Sequence, residues 1–572
     1  MRPWLGLMLF ASLLVSALPD AWAAPPADLP SLTSWPSDTT LGTPVALVAG
    51  DQLDPIMVSD GVGGFIMLWL DFRKPVFDPD LYCQRVSASG DSLWGAGGQV
   101  VCSVPGVQNR PTMIADGQGG VFIAWGDLRT SAGGSGYYLQ HLGPNGMPRW
   151  AANGIRPVSG FNSQAGPQIC LDDIGGIFFA FGSANGTQLQ RLDSLGIKRL
   201  GSFPPAEGTL LRTNPSSASG IVADGLGGAI VALSYGSGSN VDLSALRVAA
   251  SGTVVWDPGG NTVCAASGMQ GPVDIVSDGA NGAILAWDDA RSGADIYAQR
   301  MSAEGDAMWA PNGIALCAED TTQTGVRLRA QSDGSVVAVW RDYRFLPATS
   351  IYAQRVAGDG SVAWALDGVP VCSAAPAIER YSVTPGLGED TFVAWNTLIS
   401  SGGDVFAQRI DGAGNRQWGE YGATVCRGPN DQTISAAVGD GRGGLYVGYR
   451  DRRDPNEPNM YASHLGAGGV PGPVVGVEAA WSGPVREMLR GAPNPARGLQ
   501  SLAFARPVAA GARVEVLDLT GRRRVARELS SGAPSWSWDG RDDQGAAVEP
   551  GLYFVRVVDG ARTAVGRVVR LE

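Results

Sequence analysis

Histidine and cysteine are scarce in this 572-residue sequence, which has two histidines and seven cysteines. Both histidines, His141 and His464, occupy one position of a repeated unit, and no two cysteines are separated by two residues. Zinc sites are built mainly from closely spaced cysteines and histidines. The sequence therefore argues against a histidine-based metal site or general base, and we expect no metal and no cofactor.

Basic residues are also outnumbered, with 42 lysines and arginines against 54 aspartates and glutamates, which gives a net charge of −12. The basic residues form no stripe along the chain. Proteins that bind nucleic acid or anionic membranes present concentrated positive charge. We therefore expect no nucleic-acid partner and no attachment to anionic membrane surfaces.

Long apolar runs are absent except for residues 5–18, which follow Arg2 and precede Ala21-Trp22-Ala23. This run is too short to cross a bilayer comfortably, and the order of basic, apolar and small residues is typical of a secretory signal. Residues 1–23 are predicted to be a signal peptide, with a short membrane anchor as the alternative. The mature chain then has no transmembrane segment and is secreted or on the cell surface, with the periplasm as another destination.

Glycine is abundant, with 81 residues, as many tight turns require. Residues 24–41 form a predicted linker, and a unit recurs from there to about residue 475, most clearly in residues 278–317. Asp278-Gly279 predicts a hairpin turn, and Asp295–Met301 alternates apolar and polar side chains as a half-buried strand does. Each unit is predicted to be a four-stranded antiparallel meander.

The number of copies decides the predicted fold. A large apolar residue closes the second strand of each unit, and successive examples are 52 to 56 residues apart. They are Trp69, Trp125, Phe181, Leu233, Trp287, Trp340, Trp395 and Tyr449. Eight such units predict an all-β, eight-bladed β-propeller over residues 42–477. Because the third and fourth repeats are degenerate, an open solenoid or two smaller propellers are the alternatives.

The two ends of the repeat region indicate closure of the ring. Residues 42–48 resemble the last strand of a unit, and the eighth unit has no second tryptophan after Gly468-Gly469. We expect the N-terminal strand to complete the eighth unit, since closing the ring protects exposed strand edges.

Five of the seven cysteines hold one place in their repeats, namely Cys102, Cys264, Cys317, Cys372 and Cys426. Packed sheets lie roughly 10 Å apart, whereas a disulfide needs Cα atoms within about 7 Å. These cysteines are therefore expected to be buried apolar filler. Cys83 and Cys102, in one unit, are the only pair considered for a disulfide.

Two charged motifs recur with the repeat. Trp-x-Asp-x-Arg, as in Asp289 and Arg291, predicts a carboxylate that caps a turn and pairs with arginine; the alternative is a ring of ligand-binding charges. Asp-Gly-x-Gly-Gly, as at Asp60, predicts a hairpin turn, because each copy offers one carboxylate and a calcium loop needs several oxygen ligands.

Loop length is the one asymmetric feature of the repeat. The loops after the second strand are longest in units one, two and eight, which are neighbours in a closed ring. Loops on a rigid scaffold often carry recognition. A contact patch for a protein or glycan is therefore predicted, with unused loop variation as the alternative. The residues chosen for it are Lys74, Asp78, Tyr137, Arg452 and Asp454, and the same loops contain Phe77, Asp80 and Glu457.

The periodicity ends near Val475, and residues 478–490 are predicted to connect to a second unit, residues 491–572, with short alternating strands and turns. It contains Asn494-Pro495, LDLTGR (517–522), WDGRDDQG (538–545) and PGLYFVRV (550–557). In these pieces it resembles the FlgD-like immunoglobulin domain and the type IX secretion C-terminal sorting domain. The resemblance implies a small β-sandwich that tethers or sorts the protein through secretion or envelope machinery. The final strand lacks the lysines of sorting domains, so a plain structural sandwich is the alternative.

The repeats distantly resemble sialidase-type and TolB-type propeller blades, and sialidases bind through an arginine cluster. A sialidase site also needs a tyrosine nucleophile with a glutamate partner and a separate acid, and no such set stands out from the repeat. The sequence therefore predicts no catalytic residue and a non-enzymatic secreted or cell-surface protein that binds a protein or glycan. The alternatives are a sialidase-like glycoside hydrolase and a purely structural envelope protein.

Overall fold

The computed structural model describes two stretches of the chain. These are residues 35–472, except 75–77, 130–133, 160–165, 202–207, 214, 376, 399–401 and 455–457, and residues 489–570, except 493–499, 505–507, 510, 518–522, 534, 549–550 and 560–561. The predicted signal peptide, most of both predicted linkers, Phe77 and Glu457 lie outside these ranges. Every helix or strand assigned in the described residues is a β-strand, which confirms the all-β prediction.

Eight antiparallel sheets follow one another along the repeat region. The chain begins with β1 (Thr43–Ala46). Sheet 1 contains β2 (Gln52–Ser59), β3 (Phe65–Asp71), β4 (Asp80–Val86) and β5 (Gln99–Cys102). Sheet 2 contains β6 (Gln108–Ala115), β7 (Val121–Asp127) and β8 (Gly136–Leu142). Sheet 3 contains β9 (Gln168–Leu171), β10 (Ile177–Ser183), β11 (Gly186–Leu192) and β12 (Thr209–Thr213). Sheet 4 contains β13 (Ser216–Ala223), β14 (Ala229–Ser237), β15 (Asn240–Val248) and β16 (Asn261–Cys264).

The other four sheets continue this order. Sheet 5 contains β17 (Gln270–Ser277), β18 (Ala283–Asp289), β19 (Asp295–Met301) and β20 (Ile314–Cys317). Sheet 6 contains β21 (Gln323–Ala330), β22 (Val336–Asp342), β23 (Thr349–Val356) and β24 (Val369–Ala375). Sheet 7 contains β25 (Ile378–Pro385), β26 (Thr391–Thr397), β27 (Val405–Ile410) and β28 (Ala423–Cys426). Sheet 8 contains β29 (Gln432–Gly439), β30 (Leu445–Asp451), β31 (Asn459–Leu465) and β1.

Within sheets 1 to 7 the strands pair in chain order, so each unit is a meander. Sheet 2 has three strands in the described residues, whereas the other units have the four that the sequence predicts. Sheet 8 differs because its fourth strand comes from the other end of the repeat region: β1 pairs with β31, with Thr43 opposite Ala462. The N-terminal strand thus completes the last unit, as the sequence predicts.

The first strands of the sheets contact one another in a circle. β2 contacts β6, and the series continues through β9, β13, β17, β21, β25 and β29, which contacts β2 again. The apolar residues that close the second strands are buried between neighbouring sheets, from Trp69 to Tyr449. All seven cysteines are buried free thiols, Cys83 and Cys102 included. Their burial agrees with the prediction, but the thiols of Cys102, Cys264, Cys317 and Cys426 also contact an aspartate of the next sheet at 3.7 to 4.0 Å, so the packing is not purely apolar.

Tryptophans link each sheet to the next. The Nε1 atom of Trp94 in sheet 1 donates to the Pro144 carbonyl in sheet 2 at 3.0 Å. The same bond is made by Trp150 to Ser194, Trp256 to Ala303, Trp309 to Gly358, Trp364 to Gly412 and Trp418 to Ala467. Each indole also packs on a turn glycine of the next sheet, where a Cβ would collide, as Gly146 does against Trp94.

Trp35 supplies the tryptophan that the eighth unit lacks in its own sequence. It is 2% exposed, and its Nε1 atom donates to the Ala88 carbonyl of sheet 1 at 2.8 Å. It also packs on Gly90, as the other tryptophans pack on their turn glycines. The junction between sheets 8 and 1 therefore repeats the other junctions.

The C-terminal stretch forms two further sheets. Its strands are β32 (Leu489–Ala492), β33 (Gln500–Phe504), β34 (Arg513–Leu517), β35 (Arg523–Glu528), β36 (Ser535–Trp538), β37 (Gly551–Asp559) and β38 (Arg562–Arg570). The sheet orders are β32-β33-β36 and β35-β34-β37-β38. Val514, Val516, Trp538 and Val555 share one buried cluster. In the described part of the chain, no helix is long and apolar enough to cross a membrane.

Replacing Trp35 tests the closure of the ring. We expect Trp35→Ala to lower the free energy of unfolding by about 3–5 kcal/mol, because a buried indole is removed from the junction of sheets 8 and 1. Trp35→Phe keeps an aromatic side chain at this junction but removes the hydrogen bond, which should cost about 1 kcal/mol. Urea denaturation of the full chain measures both, with Leu41→Ala as the exposed control. A Trp35→Ala protein as stable as the control would contradict this closure.

Candidate functional site

The recurrent Trp-x-Asp-x-Arg motif forms an internal ion pair. The carboxylate of Asp289 accepts hydrogen bonds from the indole of Trp287 at 2.6 Å and from Arg291 at 2.9 and 2.6 Å. Arg291 also stacks over Tyr297, 3.9 Å from the ring centroid, and donates to the Asn312 carbonyl at 2.8 Å. Related pairs join Asp71 to Arg73, Asp127 to Arg129, Asp342 to Arg344 and Asp451 to Arg453. This geometry supports the scaffold interpretation of the motif.

The Asp-Gly-x-Gly-Gly turns are also occupied internally. One oxygen of Asp60 accepts from the Val62 and Gly64 amides at 2.9 and 2.8 Å, and the other accepts from Arg85 at 2.9 Å. In sheet 8 the arginine is replaced by His464, 2.9 Å from Asp440. Burial opposes ionisation of Asp440, but the hydrogen bonds from His464 and two amides lower its pKa overall. These carboxylates stabilise turns.

The residues of the predicted contact patch have different surroundings in the structure. Lys74 pairs with Asp80 at 2.8 Å, and Asp78 accepts a hydrogen bond from the Gly106 amide at 2.9 Å. Asp454 is exposed, and Arg452 is half-buried beside Arg450.

Tyr137 must be removed from the patch. Its side chain is 0% exposed and packs against Phe179 and Phe181 of sheet 3, with ring centroids 5.6 and 6.0 Å apart. Strand alternation places it on the face of β8 that sheet 3 covers. Its side chain therefore contributes to the core rather than to a ligand contact.

Arg452 instead belongs to an arginine cluster, which we define as Arg380, Arg450 and Arg452. Burial lowers the pKa of Arg450, and the positive charges of Arg452 and Arg380 lower it further, against the opposing effect of Glu379 and Asp54. The Nε atoms of Arg450 and Arg452 are buried without a hydrogen-bond partner in the described structure. Arg450 is thus close to two further guanidiniums and to two carboxylates.

The arginine cluster lies where sheets 7, 8 and 1 meet. Arg380 is on β25 with a side chain that is 51% exposed, and it reaches Asp54 of sheet 1 at 3.6 Å. Asp54 has a φ of 47° at a bulge of β2, and Arg110 of β6 and Gly325 of β21 have positive φ at the same place in their strands. The positions of these residues place the cluster around the first strands of the ring.

Further charged residues line the first strands of sheets 5 to 7. Asp288 accepts from the Gly325 amide at 2.7 Å, and Asp274 accepts from the Leu328 amide at 2.8 Å. Arg327 is exposed, and Arg341 donates to the Glu379 carbonyl at 3.3 Å. The two aspartates tie strand edges together, whereas Arg327 extends the positive surface toward solvent.

Tyr381, in the same region, is no ready nucleophile. Its hydroxyl donates to the carbonyl of Val339 at 3.0 Å and lies against that of Gly325. Burial raises the pKa of Tyr381 well above its ordinary value. Its proton is directed at a backbone carbonyl rather than at a base, unlike that of an activated nucleophile.

Charge is therefore distributed unequally around the ring. The residue that follows the recurrent large apolar residue of each second strand shows this most clearly. In sheets 1 to 4 it is Leu70, Gly126, Gly182 and Ser234. In sheets 5 to 8 it is Asp288, Arg341, Asn396 and Arg450. These arginines could have been recognised in the sequence because they differ from the residues at the same positions of other repeats. The prediction used loop length alone and therefore missed Arg380 and Arg450.

The arrangement can bind anions. Guanidinium groups match the geometry of carboxylate and sulfate groups, and an exposed fork beside further guanidiniums attracts them. Within the described ranges, no three His, Cys, Asp or Glu side chains are grouped as a metal ion would require.

Comparison with known proteins shows similarity to several solved structures. A PL25 ulvan lyase, a polysaccharide lyase solved with a bound saccharide, is 13% identical, covers 75% of this chain and 94% of its own, and has a TM-score of 0.37. PorZ, a surface component of the type IX secretion system of Porphyromonas gingivalis, is 12% identical over 92% and 82%, with a TM-score of 0.26. A Hadza microbial sialidase is 10% identical over 62% and 65%, with a TM-score of 0.30. No protein-family model and no curated protein matches the sequence.

These similarities correct one prediction. The sequence predicts a protein without enzymatic activity, but most of the similar structures are carbohydrate-active enzymes, among them polysaccharide lyases and the sialidase. The absence of enzymatic activity is therefore withdrawn. Identities below 15% and TM-scores below 0.5 do not assign any particular reaction to this chain.

The Asp289 ion pair gives a pH-dependent prediction. Burial opposes ionisation, but the bonds from Arg291 and Trp287 lower the pKa of Asp289 overall. Because the pKa of Asp289 is lower in the folded state than in the unfolded state, where it is about 3.9, ionised Asp289 stabilises the folded protein above that pH. This stabilisation is lost as the pH falls through the pKa of the folded state. Asp289→Asn should cost about 3–5 kcal/mol at neutral pH and reduce the loss of stability on acidification. Urea denaturation from neutral to acidic pH measures this, with Asp306→Asn, in an exposed turn of the same sheet, as control. Equal pH profiles for the two variants would contradict the assignment.

Proposed function

We propose that the protein is an exported, carbohydrate-active protein whose ring of sheets takes an anionic polysaccharide at the arginine cluster. The observation that carries this proposal is the group of three guanidiniums, with the Arg380 side chain 51% exposed, in a chain of net charge −12. Neighbouring guanidiniums that reach solvent attract a ligand that supplies charged acceptors.

The ligand class follows from the charge and from the position of the cluster. Carboxylate or sulfate groups accept the paired hydrogen bonds that guanidinium forks offer. Because the cluster continues toward exposed Arg327, charges repeated along a polymer can contact successive arginines. Lys74, Asp78 and Asp454, from the loops of sheets 1 and 8, belong to the proposed rim of this surface, and Tyr137 does not.

The proposed domain organisation keeps the boundaries that the sequence predicts. Residues 1–23 are a cleaved signal peptide, 24–41 and 478–490 are connectors, and 42–477 form an eight-bladed propeller. The circular contacts of the first strands and the pairing of β1 with β31 support the blade count. Residues 491–572 are a FlgD-like, immunoglobulin-like sandwich that tethers or sorts the protein, supported by the two-sheet arrangement of its described strands.

Removing the cluster charges tests the ligand assignment. We expect wild-type protein to bind polygalacturonate or dextran sulfate, and not the neutral matched polymers methyl-esterified pectin and dextran. Arg380→Gln and Arg450→Gln should each weaken binding about tenfold, because each removes a charged hydrogen-bond donor. Calorimetry at two ionic strengths measures the affinity, which should fall as salt rises.

Arg442→Gln is the matched control, since Arg442 is exposed in the turn at the opposite end of β30. Equal binding by Arg380→Gln, Arg450→Gln and Arg442→Gln would reject the cluster as the site, and failure of every polyanion to bind would reject the ligand class. The same samples are assayed for new reducing ends and unsaturated sugar products, which determines whether binding leads to cleavage.

Truncation tests the proposed sorting role. A chain that ends after Ala480 should leave the cell without remaining at the surface, or should fail to be exported, because it lacks the proposed sorting unit. Surface labelling and fractionation of the native host measure this against the full-length chain. Surface display of the truncated chain equal to that of the full-length chain would reject the sorting role.

A further inference from the structure

A shallow cavity lies beside the charged first strand of sheet 6. It has a volume of about 250 Å³ and is lined by Thr322, Thr324, Tyr343 and Leu346. Thr324 pairs across the ladder with Arg341, and paired residues project to the same face of a sheet. The bond from Arg341 to the Glu379 carbonyl shows that this face is directed toward sheet 7. The cavity is therefore next to a guanidinium of the charged region.

The cavity wall combines apolar surface with hydroxyl groups. Tyr343 and Leu346, on the loop after β22, line the cavity, and Leu346 is 70% exposed. A large apolar side chain that faces solvent buries little surface of its own. Within the described residues, the hydroxyls of Thr322 and Thr324 have no hydrogen-bond partner. Apolar faces and unused hydroxyls on one wall match a sugar ring, which has C–H faces and hydroxyl edges.

The loop that carries these side chains is held in place. The Tyr343 amide donates to the Thr322 carbonyl at 3.1 Å, and the Ala348 amide donates to the Phe345 carbonyl at 3.0 Å. Arg344 anchors the loop to the sheet through its ion pair with Asp342 at 2.8 Å. At the same place in sheet 5, residues 290–294 contain no aromatic residue. The aromatic loop is thus a fixed feature that the repeat does not require.

We propose that this cavity is a saccharide subsite, which takes one pyranose ring of an anionic polysaccharide with its charged substituent directed toward Arg341. This inference rests on the proposed function and extends it by naming where sugar rings, rather than charges, are recognised. The aromatic loop supplies a contact for the ring, and the arginine cluster binds the charges of neighbouring sugars. The chain of the ligand would then run from sheet 6 toward sheet 8.

Two probes separate recognition of sugar from recognition of charge. Trigalacturonate carries carboxylates on sugar rings, and poly-L-glutamate carries carboxylates without sugars. Tyr343→Ala should weaken binding of trigalacturonate roughly three- to tenfold, because an aromatic contact is lost, and should leave binding of poly-L-glutamate unchanged. Thr324→Val, which removes one hydroxyl and keeps the shape, should have the same selective effect.

Leu366→Ala, at an 82% exposed apolar residue of the same sheet, is the matched control. If Tyr343→Ala weakens both probes equally or neither, the subsite is rejected. Arg380→Gln should weaken both probes, and if it weakens neither, the arginine cluster is rejected whatever Tyr343→Ala does. The failure of the subsite is thereby distinguished from the failure of the proposed function. Near-ultraviolet circular dichroism checks that each variant is folded.

Discussion

The hydrogen bond from a tryptophan of one sheet to a turn carbonyl of the next is the interaction on which the ring depends. A four-stranded sheet of this composition is apolar on both faces, so each sheet needs a neighbour on either side. The indole fills the interface between two neighbouring sheets, and the hydrogen bond from its N–H sets the distance to the turn of the next sheet. Because Trp35 makes the same bond between sheets 8 and 1, the junction of the chain ends is built like the internal ones. At other junctions an arginine donates to the same turn carbonyl as the tryptophan, as Arg85 does to Pro144. At the junction of sheets 3 and 4, Leu200 takes the tryptophan position, and the arginine bond from Arg191 to the Ala250 carbonyl is retained.

The repeat also explains why most of its charges are unavailable to ligands. Each Trp-x-Asp-x-Arg pair uses both carboxylate oxygens internally, and the arginine covers a tyrosine. Sheet 4 lacks the motif, yet Arg212 of β12 stacks over Tyr235 at 3.6 Å and bonds to the Gly259 carbonyl, so the arrangement is rebuilt from a different strand. Charges that maintain the scaffold recur in several units. Charges that can act on a ligand are therefore sought among residues that break the repeat.

Sequence reasoning predicted the local features well and the non-local ones poorly. The strand Asp295–Met301 was predicted with its observed bounds because alternation and turn residues are local signals. Tyr137 was misplaced because its burial depends on Phe179 and Phe181 of the next sheet, which no local pattern reports. The arginine cluster was missed for the same reason, since Arg380, Arg450 and Asp54 come from three sheets that meet only when the ring closes. Trp35 lies outside the periodic region, so counting repeats could not find it.

The arginine cluster lies where the ends of the ring meet, and its arginines are not part of the repeated ion pairs. Burial of a charge, and then like charges brought together, raise the free energy of the folded state, and both lower the pKa of Arg450. The nearby aspartates provide limited relief, because Asp288 is committed to the amides of Gly325 and Val326, and Asp274 to that of Leu328. The rigid ring maintains an arrangement that isolated strands would not adopt. A bound anion would lower this electrostatic cost, so the same residues that destabilise the free ring supply the free energy of binding.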